Sequence, residues 1–208
     1  VKAHGDVILN HQLRNEIVAT KVANRIINRM GLIHPFELAE EEGVGMADIA
    51  ETFVVAENLF DLPQLWADID TAKISETARL NLYGEVSKRL RAHMADLIRN
   101  GVATRTLAQC VADLSPGVSA LNRLTDKLLA DQSRGQAAAA IAALEAEGVD
   151  KILAKRIAHL GEMDGVVGIV ALARDQKSDP AAITRAFILL GSATGLDWAQ
   201  GAASAMSP

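Results

Sequence analysis

The chain has 208 residues, half of them apolar but only 3% aromatic, with 23% charged residues and a net charge of −5. That length is enough to bury a real core, and the shortage of aromatic residues makes it a core of Ala, Leu, Ile and Val. An acidic balance excludes a general nucleic-acid binder, whose affinity rests on clustered positive charge. No apolar run approaches the ~20 residues of a membrane helix.

The first element is the best defined. Between His11 and Gly31, residues Val18, Ala19, Val22, Ala23, Ile26, Ile27 and Met30 recur with the 3.6-residue period of an amphipathic helix. Arg14 precedes a basic edge formed by Lys21, Arg25 and Arg29, with Asn24 and Asn28 beside it. Residues 34–43 form a short helix with Pro35 in the first turn and Gly43 at the end. A helix from Ala47 to Phe60 turns Ile49, Ala50, Phe53, Val54 and Leu59 or Phe60 inward. Leu62-Pro63 breaks it, and Gln64–Ile69 carries Trp66.

Ser75 is a good N-cap for the longest helix, Glu76–Asn100. Its inner stripe reads Leu82, Tyr83, Val86, Leu90, Met94, Leu97, Ile98, and Gly101 closes it. Helices follow over Thr104–Leu114, Val118–Ala130, Gln136–Glu147, Asp150–Leu160, Asp164–Asp175 and Pro180–Ala193, the last capped by Asp179. Gly195 stops that helix and Leu196-Asp197-Trp198 opens one more. Residues 165–171 are the one strand alternative, but an isolated strand lacks a ladder partner, so they are read as helix. The expected architecture is all-α, an irregular antiparallel multi-helix bundle. The shift at Ser115-Pro116-Gly117 divides it into lobes over 1–114 and 115–208. Val1 and Pro208 read as cuts in a longer protein.

The search for chemistry is mostly negative. No Gly-x-Gly-x-x-Gly or Walker pattern is present, and Gly161, Gly165 and Gly168 have neither the spacing nor a preceding strand. The five histidines and one cysteine are scattered, without metal-ligand spacing. Cys110 reads as a small buried apolar residue, fitting a reducing cytoplasm. His93 reads as a hydrogen-bonded structural histidine, and Glu40-Glu41-Glu42 as a solvated helix end. No catalytic, cofactor-binding or metal-binding residue is assigned. Arg14, Lys21, Asn24, Arg25, Asn28 and Arg29 are the candidate interaction surface, for phosphates or an acidic partner. The same cations could instead pair with Glu37, Glu40, Glu51 or Glu57, and Asn24 and Asn28 could bond a neighbouring helix end. Without interleaved aromatics, nucleic acid is not an expected partner.

Leu13-Arg14-Asn15-Glu16-Ile17-Val18-Ala19-Thr20, continuing through Ala23-Asn24 to Asn28-Arg29-Met30-Gly31, closely resembles the C-terminal region of the large bacterial NAD-specific glutamate dehydrogenases. Asp48-Ile49-Ala50, Phe53-Val54-Val55-Ala56-Glu57, Phe60-Asp61-Leu62 and Leu65-Trp66 extend the likeness, and Gly195-Leu196-Asp197-Trp198 takes it up again near the end. It is strongest over residues 11–70. The resemblance implies a non-catalytic helical domain of a cytoplasmic enzyme that converts L-glutamate and NAD to 2-oxoglutarate, ammonium and NADH. The nucleotide and substrate domains would lie upstream, with NAD bound there and none in this part. The domain would pack on those catalytic domains or on another subunit of a homo-oligomer. Two other readings stand beside it: an effector-sensing module, with a small molecule between helices, and a freestanding helical enzyme or interaction protein.

Overall fold

The computed structural model describes residues 7, 10–128 and 131–186. All the elements among the described residues are helical. They are α1 (Arg14–Met30), α2 (His34–Glu42), α3 (Met46–Leu59), α4 (Leu62–Thr71), α5 (Glu76–Arg99), a 3₁₀ turn (Val102–Thr104), α6 (Leu107–Leu128), α7 (Asp131–Ala146), α8 (Lys151–Glu162) and α9 (Val166–Asp175). Residues 180–186 are helical again. The expected continuation to Ala193, Gly195 and the start at Leu196 lie outside the described residues.

Local chemistry sets the boundaries. Ser75 Oγ accepts the Ala78 N–H at 3.1 Å and opens α5. Asp150 caps α8 through the Ile152 N–H at 2.9 Å. Asp48 reaches back to the Gly45 N–H at 2.9 Å and fastens the start of α3. Pro35 and Pro63 occupy first turns, where a missing N–H costs nothing. Gly43 ends α2 in the left-handed conformation, φ +66°.

The bundle is organised on α5. Leu82, Val86, Leu90, Met94 and Leu97 are fully buried along it, as the apolar period predicts. α1 to α4, α8 and α9 all pack against it, and α4 also meets α8. α3 is covered by both α5 and α6, so it buries more than one face: Ile49, Phe53, Val55 and Ala56, but also Thr52 and Glu57. The expected inward residues Ala50 and Val54 are only half-buried.

One expectation about the elements fails, and the apolar period of α1 is only partly used in packing. The apolar face of α1 is covered only at its C-terminal end. Ile26 and Met30 are buried and Val22 half-buried, whereas Val18, Ala19, Ala23 and Ile27 are exposed. Among the described residues no other element covers the first turns, so periodicity alone does not mark a covered face. The break at Ser115-Pro116-Gly117 does not occur. α6 runs unbroken through Pro116, so the division at 114/115 falls inside one helix. Proline forfeits one backbone hydrogen bond, but Cys110, Leu114, Val118, Leu121 and Thr125 stay in phase on one buried seam across it. Gly117 permits a close approach of α9, since a Cβ there would come within 2.5 Å of a Val170 methyl. Packing overrides the local break signal.

His93 joins α5 to α8. It is fully buried, its Nε2–H donates to the Leu160 carbonyl of α8 at 2.8 Å, and its ring stacks on Phe60 at 4.0 Å. Burial drives its pKa down from 6.5 to about 4, with the Leu160 hydrogen bond opposing the shift. The fold therefore holds the neutral ring, while the unfolded chain takes up a proton below pH 6.5. Stability from this residue is complete above pH 6.5 and declines as the pH falls towards 4, by about 3 kcal/mol in all. Urea unfolding of the wild type and His93→Gln at pH 7.5 and pH 4.5 checks this. The wild type should lose about 2 kcal/mol more than the variant between the two pH values, whereas equal losses would show that His93 is solvated.

Candidate functional site

α1 carries every residue of the expected interaction surface, and the structure sorts them onto two sides. Arg25 and Arg29 turn inward. The Arg25 guanidinium pairs with Glu57 of α3, whose residue is only 2% exposed. Burial raises the Glu57 pKa, and the Arg25 hydrogen bond and charge pull it back. This is the helix-to-helix ion pair offered as the alternative to a docking role. Arg29 lies over the Trp66 ring of α4 at 4.8 Å and the Tyr83 ring of α5 at 5.8 Å, with Asp70 3.9 Å away.

A polar knot continues from there. The Tyr83 hydroxyl donates to Asp70, a bond that raises the Tyr83 pKa. Arg79 donates to the carbonyls of Asp70 and Ala72 at 2.6 and 2.9 Å, at the negative end of α4. Sequence reasoning missed Tyr83, Asp70 and Arg79, since their roles depend on which helices become neighbours. The apolar period places Tyr83 in the inner stripe, whereas in the fold it stands half-buried at the polar edge of that stripe.

Lys21, Asn24 and Asn28 face outward and are exposed. Neither asparagine bonds a neighbouring helix end among the described residues. Arg14 is also exposed but has a polar interaction of its own. Lys21, Asn24 and Asn28, with Leu13, Glu16, Ile17, Thr20 and the outer part of Arg25, line a shallow, open depression along α1. Leu13 is 55% exposed and Val18 51%. At the α1–α2 corner Leu32, Ile33 and Phe36 are also more than half exposed. The result is a polar stripe with an apolar margin.

The other singled-out residues are structural. Cys110 is fully buried, its thiol against the Val102 carbonyl at 3.6 Å. Of the three glutamates ending α2, Glu40 is exposed and the other two are paired. Arg91 of α5 bonds Glu41 at 2.7 Å, and Arg99 grips Glu42 through two nitrogens at 3.0 and 2.5 Å. Among the described residues no group of His, Cys, Asp or Glu is disposed to hold a metal ion. No helix among them is long and apolar enough to cross a membrane.

The Arg25–Glu57 pair should be strongly coupled. Removing Arg25 strands a buried carboxylate, but water screens the arginine partly, so Arg25→Ala should cost about 2 kcal/mol rather than the full buried-pair penalty. In a double-mutant cycle, adding Glu57→Gln should recover about half of that loss. Additive losses by urea unfolding would mean that the two residues act separately.

The comparisons with known proteins agree on one family. The chain is 29% identical over 197 residues to the NAD-specific glutamate dehydrogenase of Halomonas elongata, covering 93% of this chain and 12% of the relative. Against the protein of the same name from Pseudomonas aeruginosa it is 26% identical over 196 residues, with the same coverage. A Mycobacterium tuberculosis relative of that name is 25% identical over 197 residues, covering 91% of this chain and 12% of its own length. The chain thus spans about one-eighth of the curated relatives it matches. The model of the family described as "Glutamate dehydrogenase, C-terminal" matches residues 1–208, and the chain belongs to that family.

Proposed function

We propose that this chain is the helical C-terminal domain of an NAD-specific glutamate dehydrogenase. It binds no nicotinamide itself and packs on the catalytic domains of the same cytoplasmic polypeptide. The parent reaction is the oxidative deamination of L-glutamate to 2-oxoglutarate and ammonium with reduction of NAD. Family membership and the names of the relatives support the activity. The small share of the relatives covered by the chain supports a division of labour, with the cofactor held elsewhere.

The observation that carries the packing role is the half-covered helix α1. Its residues 14–20 are all exposed, including Ile17 and Val18. Covering an apolar margin of this kind stabilises both partners by about 25 cal/mol per Å². In a homo-oligomer of the parent, the same face is open to a second subunit. The polar residues Lys21, Asn24 and Asn28 would then give the contact its register.

Hydrogen exchange tests this on the 208-residue chain alone and within the full-length polypeptide. Amides across residues 14–24 should exchange at least about tenfold more slowly in the full-length protein. Ile17→Asp, which changes only an exposed side chain, should remove the difference. Equal exchange in both contexts would rule out docking through α1.

A further inference from the structure

The junction of α5 with α9 contains a reactive pair of residues that the packing role leaves unused. Asn100 is the one asparagine of the chain followed by glycine. Each residue has a structural reason to be there. Gly101 has φ +74°, the left-handed conformation that glycine adopts freely, and it closes α5. Asn100 is the C-cap of the same helix, and its Nδ2 donates to the Asp96 carbonyl and to the Asp96 carboxylate, both at 2.8 Å. The first turn of α9 lies against this carboxamide, since a Cβ on Gly168 would be 3.5 Å from both its nitrogen and its oxygen.

An asparagine before glycine can react within its own chain. The glycine nitrogen attacks the asparagine Cγ, and the new C–N bond closes a cyclic imide. The side-chain nitrogen leaves as ammonia, taking the proton that the glycine nitrogen gives up. Water then opens the ring at either carbonyl and leaves aspartate or iso-aspartate, with no change of oxidation state. Glycine favours the attack because it has no side chain in the way. The folded junction opposes it in three ways. The Gly101 N–H is engaged with the Ile98 carbonyl at 3.0 Å. Ring closure needs the Gly101 nitrogen to eclipse the Asn100 Cβ about the Cα–C bond, and a ψ of +16° holds it well away. The carboxamide would also have to leave Asp96 and swing past Gly168. Undocking α9 removes that cover and lets the last turn of α5 fray.

We propose that Asn100 is a modification site gated by α9: it stays an amide while α9 is docked, and undocking exposes it to cyclisation and deamidation. The product fits the junction badly. Aspartate at this position has no N–H to give Asp96 and sets a second carboxylate beside it. Iso-aspartate also adds a methylene to the main chain at the Gly101–Ile98 bond. The conversion runs one way and leaves α9 more weakly held. Neither step depends on the glutamate dehydrogenase reading.

The test incubates the 208-residue chain in mildly alkaline buffer and follows the Asn100 peptide by mass spectrometry. Deamidation should be at least about tenfold slower in the folded chain than in urea. Gly117→Val forces a side chain into α9, where a Cβ alone would lie 2.5 Å from a Val170 methyl. It should speed deamidation about tenfold by raising the population of the open form. Val170→Ala removes buried contacts of α9 without adding bulk, should act in the same direction, and serves where Gly117→Val does not fold. Ile69→Ala empties a fully buried position in α4, lowers overall stability and should leave the rate unaltered. Hydrogen exchange on Asn100→Asp reads the second step: α9 amides should exchange about tenfold faster, with α3 unchanged. Equal rates in buffer and in urea, no response to either α9 variant, acceleration by Ile69→Ala, or unchanged α9 exchange in Asn100→Asp would overturn it.

Discussion

One apolar stripe on α5 is the constraint on which the arrangement depends. Leu82, Val86, Leu90, Met94 and Leu97 are all fully buried, and both α1–α4 and α8–α9 pack against their helix. A helix presenting one such stripe would serve a two-layer fold. α5 covers more because aliphatic side chains and a neutral His93 continue its buried surface towards α8. With so few aromatic residues, the core relies on many close helix contacts, and glycines let some come very close. At Gly161 a Cβ would lie 2.8 Å from the Arg89 side chain, so α8 lies directly on that arginine.

Polar groups buried in this packing are managed by pairing across helices. Glu57 has Arg25 and His93 has the Leu160 carbonyl. Asp96 of α5 faces the Val167 and Gly168 N–H groups at the start of α9, with Asn100 donating to it at 2.8 Å. Burial raises its pKa, and those N–H groups draw it down. Arg89 sits among Glu85, Glu162 and Asp164, and burial likewise raises the latter two carboxyls while the arginine opposes it. The Arg25–Glu57 and His93–Leu160 links join elements far apart in sequence, and Arg89–Glu85 and Asn100–Asp96 lie within α5 and its cap.

Elements with unambiguous local chemistry were legible from sequence. Ser75 and Asp150 cap as expected, Gly43 ends α2, and residues 166–175 are helix rather than strand. Signals that compete with packing were not. Pro116-Gly117 has the composition of a break, but the seam from Cys110 to Thr125 keeps the helix whole. The α1 periodicity is genuine, yet a pattern of apolar residues cannot say whether a neighbour covers them, and Val18 and Ile27 remain exposed. Arg25 and Lys21 stand one turn apart on the same basic edge and have opposite fates, because only Arg25 meets a carboxylate on α3.

The account holds that α5 joins α1–α4 and α8–α9 into one cooperative unit. Leu90→Ala tests it directly, since emptying a fully buried position on that helix should cost about 3 kcal/mol. Native-state hydrogen exchange should then show the slowest amides of α3 and of α8 losing protection together and to the same extent. Loss confined to α3, with α8 as protected as in the wild type, would contradict a shared core.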